Sequence, residues 1–164
     1  MTPTVTMAEP AHPPSSRAKL LWAIEAALLW LIPFAAQIVW AVLAWDPAWP
    51  HYAVFAASIV LAAGHIVGVP FWRYAVHRWE VSDTAVYTRT GWLTQERRIA
   101  PISRVQTVDT ERGPIERLLG LSTVTVTTAS SAGAVRIDAL DRDVADRTVT
   151  QLTETAARHR GDAT

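Results

Sequence analysis

Two apolar runs stand almost back to back in the first half of this chain, and together they restrict its fold more than any other feature. Residues 26–45 form 20 positions without a charged side chain, and residues 52–72 form 21 more if His65 is neutral. At about 1.5 Å of helix rise per residue, each run spans roughly 30 Å, the thickness of a bilayer's hydrocarbon core. Only residues 46–51 separate them, enough for a tight reversal. The pattern predicts a membrane-crossing helical hairpin over residues 20–72, with everything after it on one side.

Composition supports that reading because it differs between the halves. Six of the eight tryptophans (Trp22, Trp30, Trp40, Trp45, Trp49 and Trp72) fall in or beside the hairpin. Trp22, Trp45, Trp49 and Trp72 occupy the headgroup levels of an aromatic belt. Two rival readings are a cleaved signal peptide over residues 20–36 and a pair of buried helices in a soluble protein. The first run continues to Trp45 without a small-x-small cleavage site, and both runs are apolar all round. Arg17 and Lys19 precede the first run, Arg73 and Arg78 follow the second, and the intervening turn carries only Asp46. The positive-inside rule therefore places both termini in the cytoplasm, for a two-span protein of the plasma membrane.

Residues 1–19 are proline-rich and aperiodic at their start and are expected to form a disordered cytoplasmic tail. The first run holds Pro33 and Gln37, with Glu25 at its cytoplasmic edge, where a hydrated carboxylate near Arg73 or Lys19 is expected. The second run holds Gly64, His65 and Gly68. The glycine spacing lets helices approach closely, with either the first span or another copy as partner. His65 should lie level with Leu31, with no acid at its depth, which favours an interhelical hydrogen-bond donor over a proton relay.

After a juxtamembrane linker over residues 73–78, the pattern turns to alternation. Residues 79–82 and 85–89 read as strands joined by a turn at 82–84, and Thr90-Gly91 marks the next reversal. Residues 92–100 form a strand with Leu93, Gln95, Arg97 and Ile99 on one face, which Pro101 ends or marks as an edge. In residues 104–110, Gln106 and Val108 share a face, which suggests a bulge or twist. Pro114 to Leu119, with Gly120 after it, fits a one-turn helix. Residues 122–128 and 135–138 alternate as strands around a small polar loop at 129–133. Asp141 then caps a helix to about Arg158, with Ala145, Val149, Leu152 and Ala156 as its apolar stripe and basic residues at its end. The expected architecture is a small α+β domain over residues 79–160, six or seven strands in a barrel with the C-terminal helix covering an open end.

The segments Thr88-Arg89-Thr90-Gly91-Trp92-Leu93, Ile99-Ala100-Pro101-Ile102-Ser103-Arg104-Val105-Gln106 and Gly113-Pro114-Ile115-Glu116-Arg117-Leu118-Leu119-Gly120-Leu121 carry a resemblance. With the threonine-valine strand that follows and the preceding hairpin, the chain resembles the YdbS-like bacterial pleckstrin-homology (PH) domain membrane proteins. That resemblance implies a PH-like fold, a bent antiparallel β-barrel capped by a C-terminal α-helix. It also implies a binding and assembly module rather than an enzyme. Phosphoinositide-binding PH domains use a basic cluster in the first strand-to-strand loop; here that loop is Ser82-Asp83-Thr84, without a base. A deep inositol-phosphate pocket does not carry over.

The remaining chemistry is sparse. The chain has no cysteine, which removes disulfides, thiolate metal sites and cysteine nucleophiles. Its five histidines are scattered without metal-ligand spacing, and neither a nucleophile elbow nor a phosphate-cradling glycine loop is present. No cofactor is expected. Residues 73–164 carry 13 arginines against 12 acids, a balance unlike that of a nucleic-acid binder. Arg73, Arg78, Arg97 and Arg98 are candidates for contact with lipid headgroups. Arg104, Gln106, Pro114, Arg117 and Gly120 are candidates for a specific interaction or for a network holding strand to helix. Gly64, His65 and Gly68 are candidates for helix–helix contact. The partners expected are membrane lipids and either further copies of the chain or a companion PH-domain membrane protein, because strand edges of a small barrel pair readily. The alternative is a sensor of anionic lipid headgroups or a small ligand, and a small transporter subunit is a more distant one.

Overall fold

The computed structural model describes residues 9–44, 48–91, 93–129 and 133–161, with side chains to residue 158. Two apolar helices open the described chain. Helix α1 (Ala18–Leu43) is 26 residues long and carries Pro33 internally. The return helix comprises α2 (Ala48–Ala63), a π-helical segment (Gly64–Gly68) and α3 (Val69–Val76). Both are long and apolar enough to cross a membrane. Most of their side chains are exposed, including Leu31, Ile32, Val42, Val60 and Phe71, as lipid-facing helices require and a buried soluble pair would not allow. Trp45 and Asp46, expected in the belt and the turn, lie outside the described residues, as do Trp92 and residues 1–8.

Six strands follow. Strands β1 (Arg78–Val81), β2 (Ala85–Thr90) and β3 (Glu96–Pro101) make one antiparallel sheet in that order. Strands β4 (Val105–Glu111), β5 (Leu121–Thr128) and β6 (Val135–Asp141) make a second. The one-turn helix α4 (Pro114–Leu119) connects β4 to β5, and α5 (Arg142–Gly161) ends the domain. Val86, Ala100 and Ile102 from the first sheet side meet Val124, Val126, Val135, Ile137 and Leu140 of the second, with Ala145, Leu152 and Ala156 of α5 closing the core. The stripe read from the sequence is thus the buried face of α5, with Val149 partly buried beside it.

The barrel expected from the sequence is not closed. A 3-10 turn (Ile102–Arg104) separates β3 from β4, so the two sheets share no strand pairing there. Two register breaks bend the second sheet: one between Val105 and Thr107, where Gln106 is the extra residue, and one between Ser122 and Val124. Opposite the latter, Ala139 adopts φ 54°, a left-handed conformation that costs a non-glycine residue about 1–2 kcal/mol. Strand β3 begins at Glu96 rather than residue 92, because Gly91 at φ 106° starts a turn instead of a two-residue reversal.

The N-terminal segment also departs from the expected disorder over residues 1–19. From Glu9 onward it is strapped across the seam between the sheets. His12 and Trp79 exchange backbone hydrogen bonds of 3.0 and 2.8 Å on the β1 edge. The Trp79 indole N–H donates to the Pro13 carbonyl at 3.2 Å. Three residues later the Ser15 N–H donates to the Ala139 carbonyl of β6 at 3.0 Å, and its hydroxyl donates to Asp141 at 2.8 Å. Pro14 and Ser15 are buried. The strap supplies backbone hydrogen bonds that β1 and β6 do not make with each other.

Candidate functional site

The densest arrangement of polar chemistry lies where the hairpin meets the domain. Ala18, Leu21 and Trp22 of α1 pack with Leu121 and Ala139, and Tyr74, Ile115 and Leu119 cover them. Around this small second core the cations are placed on aromatic faces or helix-end carbonyls. The Arg73 guanidinium lies 4.3 Å from the Trp22 ring centroid, and the Lys19 ammonium 4.6 Å from that of Tyr74. Arg78 donates to the carbonyls of Tyr74 and His77 at 2.9 and 2.7 Å. Arg89, from β2, donates to the Val76 carbonyl at 2.9 Å. Helix α3 ends with its free carbonyls bound by arginines, a favourable place for positive charge.

His77 sits at the centre of the junction. It is buried, its ring 5.0 Å from that of Trp22. Its Nδ1 lies 2.8 Å from the Arg73 carbonyl, and since a carbonyl only accepts, this nitrogen carries the proton. Burial holds the His77 pKa below the usual histidine value despite that bond, and the nearby Arg73 charge adds to the effect. The imidazole is therefore neutral near pH 7 and packs as an aromatic spacer.

The four arginines read as headgroup contacts are all engaged within the chain. Arg73 and Arg78 make the junction contacts just described. Arg97 pairs with Glu9 of the strap at 3.3 Å, and Arg98 pairs with Glu96 at 2.7 Å while donating to the Ala134 carbonyl. They do not converge on a common pocket.

The motif residues separate into structural and open positions. Pro114 opens α4, and Gly120 ends it in the left-handed conformation at φ 68°. Arg104, Gln106 and Arg117 are exposed, and their side chains make no hydrogen bond to any described residue. A network that holds strand to helix does exist, but other residues make it. Glu116 accepts from the Gly113 N–H at 2.6 Å and from the Thr123 hydroxyl at 2.8 Å, while Thr123 Oγ1 accepts from the Ala139 N–H at 3.3 Å. Arg112 donates to the Leu121 carbonyl at 3.1 Å. A glutamate three residues after the residue that starts a helix is a capping signal that could have identified Glu116 from sequence. Arg17, which donates to the Leu119 carbonyl at 3.1 Å, had no such local signal.

Within the hairpin, the Trp30 indole donates to His65 Nδ1 at 3.1 Å, one residue from the level expected at Leu31. His65 is an acceptor here rather than the donor expected. About two turns further along, Gln37 donates to the Ser58 hydroxyl. Gly64 and Gly68 have nothing within 4 Å of where a Cβ would stand, so they do not bring the two helices of this chain together. Glu25 lies exposed on α1 and interacts electrostatically with Arg73. Among the described residues, no three His, Asp or Glu side chains are grouped to hold a metal. An open basin of about 570 Å³ beside Gly120 is lined by Arg17, Arg142 and three carboxylates, Asp141, Asp143 and Asp146.

A two-sheet domain closed by a terminal helix, and joined to an apolar hairpin through a one-turn helix, is the arrangement to set beside known proteins. The sequence profile of the bacterial PH domain matches residues 17–156, which includes α1 as well as the sheets. The chain belongs to the bacterial PH domain family. It is also 32% identical over 130 residues to the UPF0699 transmembrane protein YdbS of Bacillus subtilis (strain 168), covering 77% of this chain and 80% of that protein. The YdbS-like resemblance seen in the motif segments is therefore shown, and the chain is a membrane protein. No solved structure matches it.

Proposed function

We propose that the chain is a membrane-anchored, non-enzymatic binding and assembly module. In this reading the hairpin crosses the plasma membrane twice, both termini lie in the cytoplasm, and the PH-like domain associates with further copies or with a companion PH-domain membrane protein. One observation carries the proposal: the strand edges are treated unequally. The strap bonds to β1 and β6, whereas no described strand pairs with the outer edges of β3 or β4. Unpaired edges template strand addition unless they are covered. Edge β4 presents Gln106, Thr107, Asp109 and Thr110 as exposed side chains.

The headgroup-sensing alternative draws less support, because its arginines are already satisfied within the chain. The test is the mass of the full-length protein in mild detergent, by light scattering corrected for bound detergent. A discrete oligomer that survives dilution is expected, together with its dissociation when lysines replace Gln106 and Thr110 on β4. A wild-type monomer would end the self-association reading, and an oligomer indifferent to the lysines would remove the β4 edge from it.

A further inference from the structure

We propose that Leu93 and Leu118 act as two membrane-embedded feet, one on each flank of the hairpin, seating the PH-like domain on the bilayer its own helices enter. Among the described residues beyond α3, only three large apolar side chains are exposed. Leu93 and Leu118 are 81% and 87% exposed; the third, Ile99, is 41% exposed. A single surface leucine is ordinary. These two differ because the topology brings both to the same end of the domain.

Strand β1 starts at Arg78, two residues after α3 ends at Val76. Arg78 pairs with Arg89, so β2 runs back towards the hairpin and reaches its end at Arg89, which also bonds the Val76 carbonyl. The chain continues through Thr90 before β3 begins opposite it at Glu96. Gly91 and residues 93–95, Leu93 among them, therefore lie beyond the hairpin-proximal end of the sheet, and the sequence from 91 to 95 includes no charged residue. On the other flank, Ile115 and Leu119 of α4 pack on Ala18, Leu21 and Trp22 of α1. Leu118, between them in sequence, is left facing outward.

The occupant is the lipid bilayer because both leucines stand at the domain end nearest the hairpin, whose own apolar side chains are exposed there. Leu20, Phe71 and Trp72, at the same ends of α1 and α3, are 51%, 61% and 60% exposed. Arg117, exposed beside Leu118, is placed to keep its guanidinium among headgroups while the leucine enters the acyl boundary. The inference rests on the proposal that α1 and the α2–α3 helix cross the membrane.

The chain's lack of cysteine permits a direct test. Single cysteines replace Leu93, Leu118, Leu31 in the hairpin, and Asp83 in the β1–β2 turn, at the far end of the sheet. Each full-length variant carries an environment-sensitive nitrobenzoxadiazole label in vesicles of phosphatidylcholine and phosphatidylglycerol. Quenchers are lipids spin-labelled at shallow or deep acyl positions, and aqueous iodide. The expected result is several-fold stronger shallow-lipid quenching at Leu93→Cys and Leu118→Cys than at Asp83→Cys, with deep quenching at Leu31→Cys. If the two sites follow Asp83→Cys while Leu31→Cys is quenched deeply, the feet are refuted and the hairpin reading stands. Shielding of both sites from iodide and lipid alike would also refute them, indicating a protein cover. Loss of deep quenching at Leu31→Cys would overturn the membrane-crossing reading itself.

Discussion

Gly120→Ala tests how the domain is held at its junction, because one atom is added where three elements meet. Gly120 ends α4 at φ 68°, ψ 29°, and its carbonyl accepts the Arg142 N–H at the start of α5. An L side chain in that conformation costs about 1–2 kcal/mol. A Cβ there would lie 3.2 Å from Arg17 Nη1, the atom that donates to the Leu119 carbonyl. Arg17 is exposed and its end can move, so the contact adds at most the loss of that bond, about 1 kcal/mol. The sum is about 1–3 kcal/mol, or a fall in melting temperature of roughly 5–15 °C for a domain of this size. The assay is thermal unfolding of the detergent-solubilised full-length protein, followed by near-ultraviolet circular dichroism. Gly120→Asn should lose less, since asparagine tolerates the left-handed region. Combined with Arg17→Ala, the alanine variant should lose less than the sum of the two single changes, because both remove the same bond. A Gly120→Ala protein that melts with wild type, or an asparagine variant equal to the alanine one, would refute the argument.

Three further outcomes are expected. His77 binds its proton less readily folded than unfolded, so the unfolded chain takes up more protons below about pH 6.5; stability should hold above that value and fall as pH drops through the lowered folded pKa. Melting curves from pH 7.5 to 5 should show this fall, flattened in His77→Phe. A double-mutant cycle of Trp30→Phe and His65→Leu, read by steric trapping in bicelles, should give a coupling of about 0.6 kcal/mol and no more than about 1.7; zero coupling would deny the bond. Ser15→Ala leaves the Asp141 carboxylate without the strap's hydroxyl and should cost about 1–3 kcal/mol, with faster proteolysis of residues 9–17 as the readout.

Much of the fold was legible because local chemistry specifies it. The hairpin follows from length and apolarity, the Ser82–Thr84 turn from its residues, and α4 from proline at one end and glycine at the other. Pro101 ends β3, and Gln106 and Val108 on one face announced the bulge that breaks the β4–β5 register. What escaped is non-local. Arginine is legible as charge but not as partner: Arg73, Arg78, Arg97 and Arg98 looked like a basic face, yet each is spent on a ring, a carbonyl or a carboxylate distant in sequence or around a helix end, and Arg98 also on Glu96 two residues away. The motif pointed to the right helix, although Glu116 and Thr123 rather than Arg117 and Gln106 make its bonds to the sheet.

The strap gives the sharpest case, and it bears on function. Nothing in residues 9–15 alternates or carries an apolar stripe, so composition alone predicts disorder. The segment is ordered by what it meets: the Trp79 backbone and indole on one sheet, the Ala139 carbonyl and the Asp141 carboxylate on the other. Ala139 can offer that carbonyl because the break between Ser122 and Val124 opposite it turns the β6 backbone to a positive φ. An irregularity that looks like a defect in the sheet is thereby tied to the closure of the seam. A segment from the N-terminal part of the chain thus takes the β1 and β6 edges, while the outer edges of β3 and β4 have no described strand partner. In a protein already confined to a membrane plane, where neighbouring copies share orientation and need little further ordering to meet, edges left open in this way are the surfaces on which association is most readily built.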